Sequence, residues 1–107
     1  MPRPPKRRRC QAYMGDRVFK PRSIPMYELK TIRLALSELE AMRLCDLDRC
    51  DQEAAGRRMA VSRGTVQRLL KSGRAKVVQA LLHSRALLIE EQGDHELLYG
   101  PRGRART

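Results

Sequence analysis

At 107 residues the chain has room for one small hydrophobic core plus tails, which excludes a second independent core. Aromatic residues make up 4% and tryptophan is absent, so the core must be built from Leu, Val, Met, Ile and Ala, a set better suited to packed helices than to a strand sandwich. The formal charge of +11 excludes neither nucleic acid nor an anionic membrane surface, but no apolar run approaches the ~20 residues of a membrane span and no signal-peptide pattern opens the chain.

The charge is unevenly placed. Residues 1–22 carry eight Lys/Arg and one acid, residues 51–76 carry seven against two, and residues 101–107 carry three Arg. The intervening segments are slightly acidic, which favours a polyanionic partner over a uniformly solvated surface. A cytoplasmic, nucleoid-associated protein is expected, with no membrane partner. Cys10, Cys45 and Cys50 have no CxxC spacing, and His83 and His95 lie far downstream, so neither a metal site nor a cofactor is expected. Reduced thiols, two of them in a helical core, are the plain reading.

The opening MPRPPKRRRC combines three prolines with a basic run and predicts a flexible arm over residues 1–12, with Lys6, Arg7, Arg8 and Arg9 available to phosphates. Residues 13–35 follow as an extended or irregular segment. Pro21 and Pro25 leave at most a short extended piece around Arg17 to Lys20, and Tyr27 to Ala35 is compatible with a helical turn or a strand. LSELEAMRLCDLD predicts a helix capped by Ser37 and Glu40, with Leu39, Met42, Leu44 and Leu47 on its buried side. The pattern restarts at CDQEAAGRRM, where Asp51 is a good N-cap and Cys50 is placed to pack onto Ala55.

This second helix must be short, because Ser62 is another N-cap. Beyond it Val66, Leu69, Leu70, Gly73, Val77, Ala80 and Leu81 recur at three- and four-residue steps to about His83, a helix about 30 Å long. Two short apolar runs, Ala86 to Ile89 and Glu96 to Tyr99, flank Gly93 and Asp94 and predict a hairpin over residues 85–100. Residues 101–107 read as a basic tail.

A short helix, a turn at Ala60 to Ser62 and a longer helix is the layout of a helix-turn-helix. Ala55, Met59, Val61, Val66 and Leu69 are spaced to face one another and lock the interhelical angle. A helix held in this way offers its N-terminal half to a major groove about 12 Å wide. The wheel places Gly64, Gln67, Arg68 and Lys71 outward, with Arg63 at the entrance. Arg forks onto guanine and Gln onto adenine, so Arg63, Gln67 and Arg68 are the candidate base readers. Ser62, Thr65, Lys71 and Arg74 are candidates for the phosphate backbone. The plain alternative is a basic, solvated face of an ordinary three-helix bundle.

The stretch from SELEAMRLCDLD through RAKVVQALL resembles region four of the bacterial sigma factors. MPRP, FKPRSIP, LSELEAMRLCDLD, QEAA, MAVSRGTVQRLL and RAKVVQAL more closely resemble a small prokaryotic family of uncharacterised proteins predicted to bind DNA, over residues 1 to 90. The resemblance implies a mainly α fold: a three-helix, sigma-region-four-like helix-turn-helix domain over residues 36–84, with the short C-terminal hairpin and flexible basic tails. It implies transcriptional regulation through duplex DNA and no enzyme activity. Where the family pattern tends to glycine, this chain has Arg49, Ala60 and Ser84, each at a helix end that favours a left-handed residue, at a cost of about 1 kcal/mol apiece. Conversely, Gly56 and Gly73 stand where alanine is usual, and Ala54 leaves the second capping box incomplete. Together these predict a less stable version of the fold.

Three partners besides duplex DNA fit the sequence. A second copy would complete a two-half-site reader, with the edge around Leu87 to Ile89 as its contact. RNA would use the basic arms, although Tyr13, Phe19, Tyr27 and Tyr99 are too scattered to stack successive bases. RNA polymerase would meet an acidic surface of Glu38, Glu40, Asp46 and Asp48, residues that equally suit a solvated helix face.

Overall fold

The computed structural model describes residues 8–10, 17–91 and 95–97. Its strands are β1 (Arg8–Cys10), β2 (Val18–Phe19), β3 (Thr31–Ala35), β4 (Ala86–Glu90) and β5 (His95–Leu97), and its α-helices are α1 (Leu36–Met42), α2 (Gln52–Met59) and α3 (Arg63–His83). Three helices and a small three-stranded sheet make the fold mainly α. The segment Tyr27 to Ala35, compatible with turn or strand, supplies both: a 3-10 turn at Met26–Glu28 and then β3.

The sheet order is β2-β4-β3, antiparallel between β2 and β4 and parallel between β3 and β4. Parallel neighbours need a long crossover, and here residues 36–85, all three helices, form it. The sheet therefore clamps the start of α1 to the end of α3. Arg33 and Glu90 pair across it at 3.2 Å, and Arg17 and Glu91 at 2.8 Å.

The expected hairpin of residues 85–100 is corrected by these pairings. β4 is the central strand with partners from residues 17–35, and β5 lies parallel to β1. Turn chemistry at Gly93 reads only local partners, whereas β4 finds two apolar strands already waiting. The free edge expected at Leu87 to Ile89 is absent for the same reason: both edges of β4 are bonded, and Ile89 is buried. The arm is corrected too. Its residues Arg8–Cys10 form β1, and Cys10 is fully buried in the core, because a thiol behaves as a small apolar group. Lys6, Arg7 and the tail 101–107 lie outside the described residues.

The core joins Cys10, Leu34, Leu36, Ala41, Leu44, Ala55, Met59, Val66, Leu70 and Ile89. α1 takes its N-cap two residues before the expected Ser37. β3 runs directly into it, so the N-cap position falls on Ala35, whose amide donates to Glu38 Oε1 at 2.9 Å. Alanine has no acceptor to return, so this is half a capping box. Ser37 is already inside the helix, buried, with its hydroxyl unpartnered. Past Met42 the chain widens into a π turn, Arg43–Leu47. The extra residue per turn rotates Leu47 away from the face held by Leu44, and Leu47 is exposed rather than buried.

α2 and α3 begin where the sequence indicates. Ala54 N–H donates to Asp51 Oδ1 at 2.7 Å and Thr65 N–H to Ser62 Oγ at 3.1 Å. Arg49, Ala60 and Ser84 all take positive φ, 64°, 59° and 53°, the left-handed helix ends inferred from the family's glycines. The two interior glycines, in contrast, are not simple losses. A Cβ on Gly56 would lie 2.8 Å from the Val61 carbonyl oxygen, and one on Gly73 would lie 2.7 Å from Met42 Sδ and 3.2 Å from Glu38 Cβ. Each lets a neighbouring element approach more closely than alanine allows.

Candidate nucleic-acid interface

α2, the turn at residues 60–62 and α3 form one rigid corner. Ala55, Met59 and Val66 are fully buried, and Val61 and Leu69 pack against them. Ala60 turns left-handed, allowing Val61 N–H to donate to the Gly56 carbonyl at 2.9 Å, a helix-ending bond of the Schellman kind. With Gly56 pressed against Val61, the corner has little freedom to open.

From this corner α3 projects its first two turns outward. Arg63, Gln67, Arg68 and Lys71 are exposed. Among the described residues no carboxylate lies within ion-pair distance of Arg63, Arg68 or Lys71. Arg68 donates to Thr65 Oγ1 at 3.1 Å, and Thr65 Oγ1 in turn lies 3.0 Å from Ser62 Oγ. The cap, the threonine and the arginine are thus one polar chain along the helix. Ser62 Oγ also accepts from the Thr65 amide, and either hydroxyl can supply the proton shared between Ser62 and Thr65.

Arg74 behaves differently from the expectation placed on it. Its guanidinium grips Asp46 with two bonds of 2.6 and 3.1 Å, a fork geometry that fastens α3 to the π turn. The expected phosphate contact is therefore spent inside the protein, on a partner 28 residues away that no local pattern reveals. The hydrogen bonds from Arg74 hold the Asp46 carboxyl below its usual range. The pair therefore stands at neutral pH and is lost only as pH falls through that lowered value. A carboxyl NMR titration is expected to place the Asp46 midpoint below ~3.9, and a midpoint at or above it would show the fork to be absent in solution.

The acidic surface considered for a polymerase contact is likewise consumed. Glu38 and Glu40 are buried, Asp48 receives Arg43 at 2.7 Å, and Asp46 is held by Arg74. Glu38 alone takes Ala35 N–H, Ser72 Oγ and Lys76 Nζ, the last at 2.8 Å. Arg8 and Arg9, expected as phosphate donors, belong to β1.

One exposed cation was missed. Arg57, in the last turn of α2, shares a concave surface with Gly56, Ser62 and Arg63. Its signal was present in the adjacent pair Arg57 and Arg58, and the geometry separates them, because Arg58 donates to Cys50 Sγ at 3.6 Å while Arg57 faces the turn. Cys50, expected to pack onto Ala55, is half-buried against the core and also meets Arg58. Burial pushes the neighbouring Cys45 thiol up from its usual range.

These features define a class: a small, mainly α protein in which a capped helix, angled by a tight left-handed turn, carries an outward basic and amide face. The chain belongs to the UPF0251 family, and the family described as protein of unknown function DUF134 matches residues 1–98. A UPF0251 protein of Moorella thermoacetica is 44% identical over 106 residues, spanning 99% of this chain and 70% of that one. Its counterpart in Pelotomaculum thermopropionicum is 48% identical over 89 residues, 83% of this chain and 67% of that one. A third, in Halothermothrix orenii, is 44% identical over 97 residues, 91% and 71% respectively. No solved structure matches the chain.

Proposed function

We propose that this chain is a DNA-binding transcriptional regulator with a sigma-region-four-like helix-turn-helix, acting in the cytoplasm at the nucleoid. α3 enters the major groove by its N-terminal half, while α2 lies across the phosphate backbone. The observation that carries this reading is the contrast among the arginines. Arg43 and Arg74 are neutralised by carboxylates, whereas Arg63 and Arg68 extend from the first turns of a helix whose angle is locked, with no carboxylate partner among the described residues. Arg63, Gln67 and Arg68 read bases. Ser62, Thr65 and Lys71 meet phosphates, joined by Arg57 from α2. The internal use of Glu38, Glu40, Asp46 and Asp48 weighs against an acidic docking face as the main business of the fold.

Selection of bound duplexes from a random pool at physiological salt tests this directly. An enriched motif is expected, and no enrichment would remove base readout. On that motif Arg68→Ala is expected to lose roughly 1–3 kcal/mol with little change on unrelated DNA. Lys71→Ala should instead weaken all sequences alike and lower the salt slope by about one. Equal losses for both variants on every sequence would reduce the function to charge alone.

A further inference from the structure

The outward side of α3 changes chemistry along its length. Its first half carries Arg63, Gln67, Arg68 and Lys71, but its second half exposes Val78 (51%), Leu81 (76%) and Leu82 (74%). Leu81 was expected to continue the buried stripe, and it does not, because the core ends at Ala80 and the helix runs on beyond it. Beside this ridge lies edge strand β2 with Phe19 exposed by 55% and Val18 by 37%. Between ridge and strand opens a cleft of about 370 Å³ walled by Phe19, Pro21, Ala80, Leu81 and Leu87, with Lys20, Ser84 and Arg85 also lining it.

We infer that this ridge and cleft are the contact through which two copies of the chain pair. Two features select a second copy as the occupant. The first is area: Phe19, Val78, Leu81 and Leu82 together with the walls of the cleft present about 500 Å², at the upper end of what a monomer leaves open, and two such faces cover about 1,000 Å² together, the least a stable interface requires. The second is self-complementarity. A two-fold contact needs one surface that supplies both projection and recess, since each patch meets its own copy. Here Leu81 walls the cleft and Val78 and Leu82 share its face of α3 at three- and four-residue spacing, so the ridge of one copy seats in the cleft of the other, twice over. Homodimer contacts are also the most apolar class of interface, and among the described residues no carboxylate lines this cleft. Pairing here leaves the polar half of α3 uncovered, since the axis advances about 10 Å from Lys71 to Val78.

The rim makes the inference separable from the proposed DNA binding. Lys20 and Arg85 bring like charges together when two copies meet, so added salt relieves repulsion and strengthens pairing. Binding to DNA responds in the opposite sense. Sedimentation equilibrium of the full chain over a micromolar series, at low and high salt, is the test. A dimer that tightens with salt is expected, and Leu82→Glu should shift the chain to monomer by at least tenfold in dissociation constant with unchanged helical circular dichroism. Val78→Glu provides a second exposed position on the same ridge should the first variant misfold. Monomer at every concentration, whether the face is bare or covered by the chain's own ends, overturns the inference, as does weakening of the dimer by salt or an undiminished dimer in both variants. Monomeric Leu82→Glu that still loses DNA on Arg68→Ala would leave the two readings independently established.

Discussion

Replacing Glu38 by alanine should cost about 3 kcal/mol of stability, the largest effect expected of any exchange that leaves the apolar core intact. Glu38 is 5% exposed and is the meeting point of three elements. It accepts the N-cap amide of Ala35, the Ser72 hydroxyl from the middle of α3 and the Lys76 ammonium a turn later. Removing the carboxylate leaves a buried amide without an acceptor and deprives a partly buried ammonium of its counter-charge. Lys76 is a third exposed on its side chain and turns to water, which keeps the cost near the lower end of the range for broken buried pairs. Glu38→Gln keeps the shape and one acceptor, so it should fall between alanine and wild type. Urea denaturation followed by helical circular dichroism measures all three, and a loss below about 1 kcal/mol for the alanine variant would mean that the cluster is solvated.

The second large effect is a pair of glycine exchanges with opposite signs. By helix propensity alone, alanine at Gly56 and at Gly64 should each stabilise by about 0.5–1 kcal/mol. At Gly64 the new Cβ meets only Arg68 and Ser62 side-chain atoms at 3.7 and 3.9 Å, so the full gain is expected. At Gly56 it meets the Val61 carbonyl oxygen at 2.8 Å. That oxygen belongs to the backbone of the turn and cannot swing aside, so the α2–α3 corner must open, with a net loss of about 2 kcal/mol. Gly73→Ala lies between, because the atom it meets first is the sulfur of flexible Met42. If Gly56→Ala proved as stabilising as Gly64→Ala, the corner would be looser than described and the rigid presentation of Arg63 and Arg68 would fail with it.

Much of the central unit is legible in the sequence alone. N-caps are local chemistry: an acceptor side chain followed by free amides, which is why Asp51 and Ser62 were found without tertiary information. The left-handed ends at Arg49, Ala60 and Ser84 were legible for a related reason. Each marks a chain reversal where glycine is customary, and the family pattern pointed to the position even though this chain lacks the glycine. The apolar spacing from Ala55 to Leu69 specified the corner because both helices bury their stripes against each other within a few residues.

The misreadings share a cause. Ser37 has the composition of a cap, yet strand β3 sets where α1 begins. Arg74 has the look of a phosphate ligand, and only the π turn brings Asp46 beneath it. Leu47 and Leu81 fit the helical period and are exposed, because period says which face a residue takes and not how far the core extends along it.

By itself the chain's sequence determined the elements whose free energy is local: the two caps, the left-handed reversals, the α2–α3 corner and the outward residues Arg63, Gln67, Arg68 and Lys71. Tertiary structure alone decided the partners distant along the chain: β4 between β2 and β3, Cys10 in the core, Glu38 as hub, Arg74 on Asp46, and which glycines are obligatory. A local pattern records what one segment prefers, but pairing and close approach depend on surfaces brought together from far along the chain, and only the folded packing chooses among them.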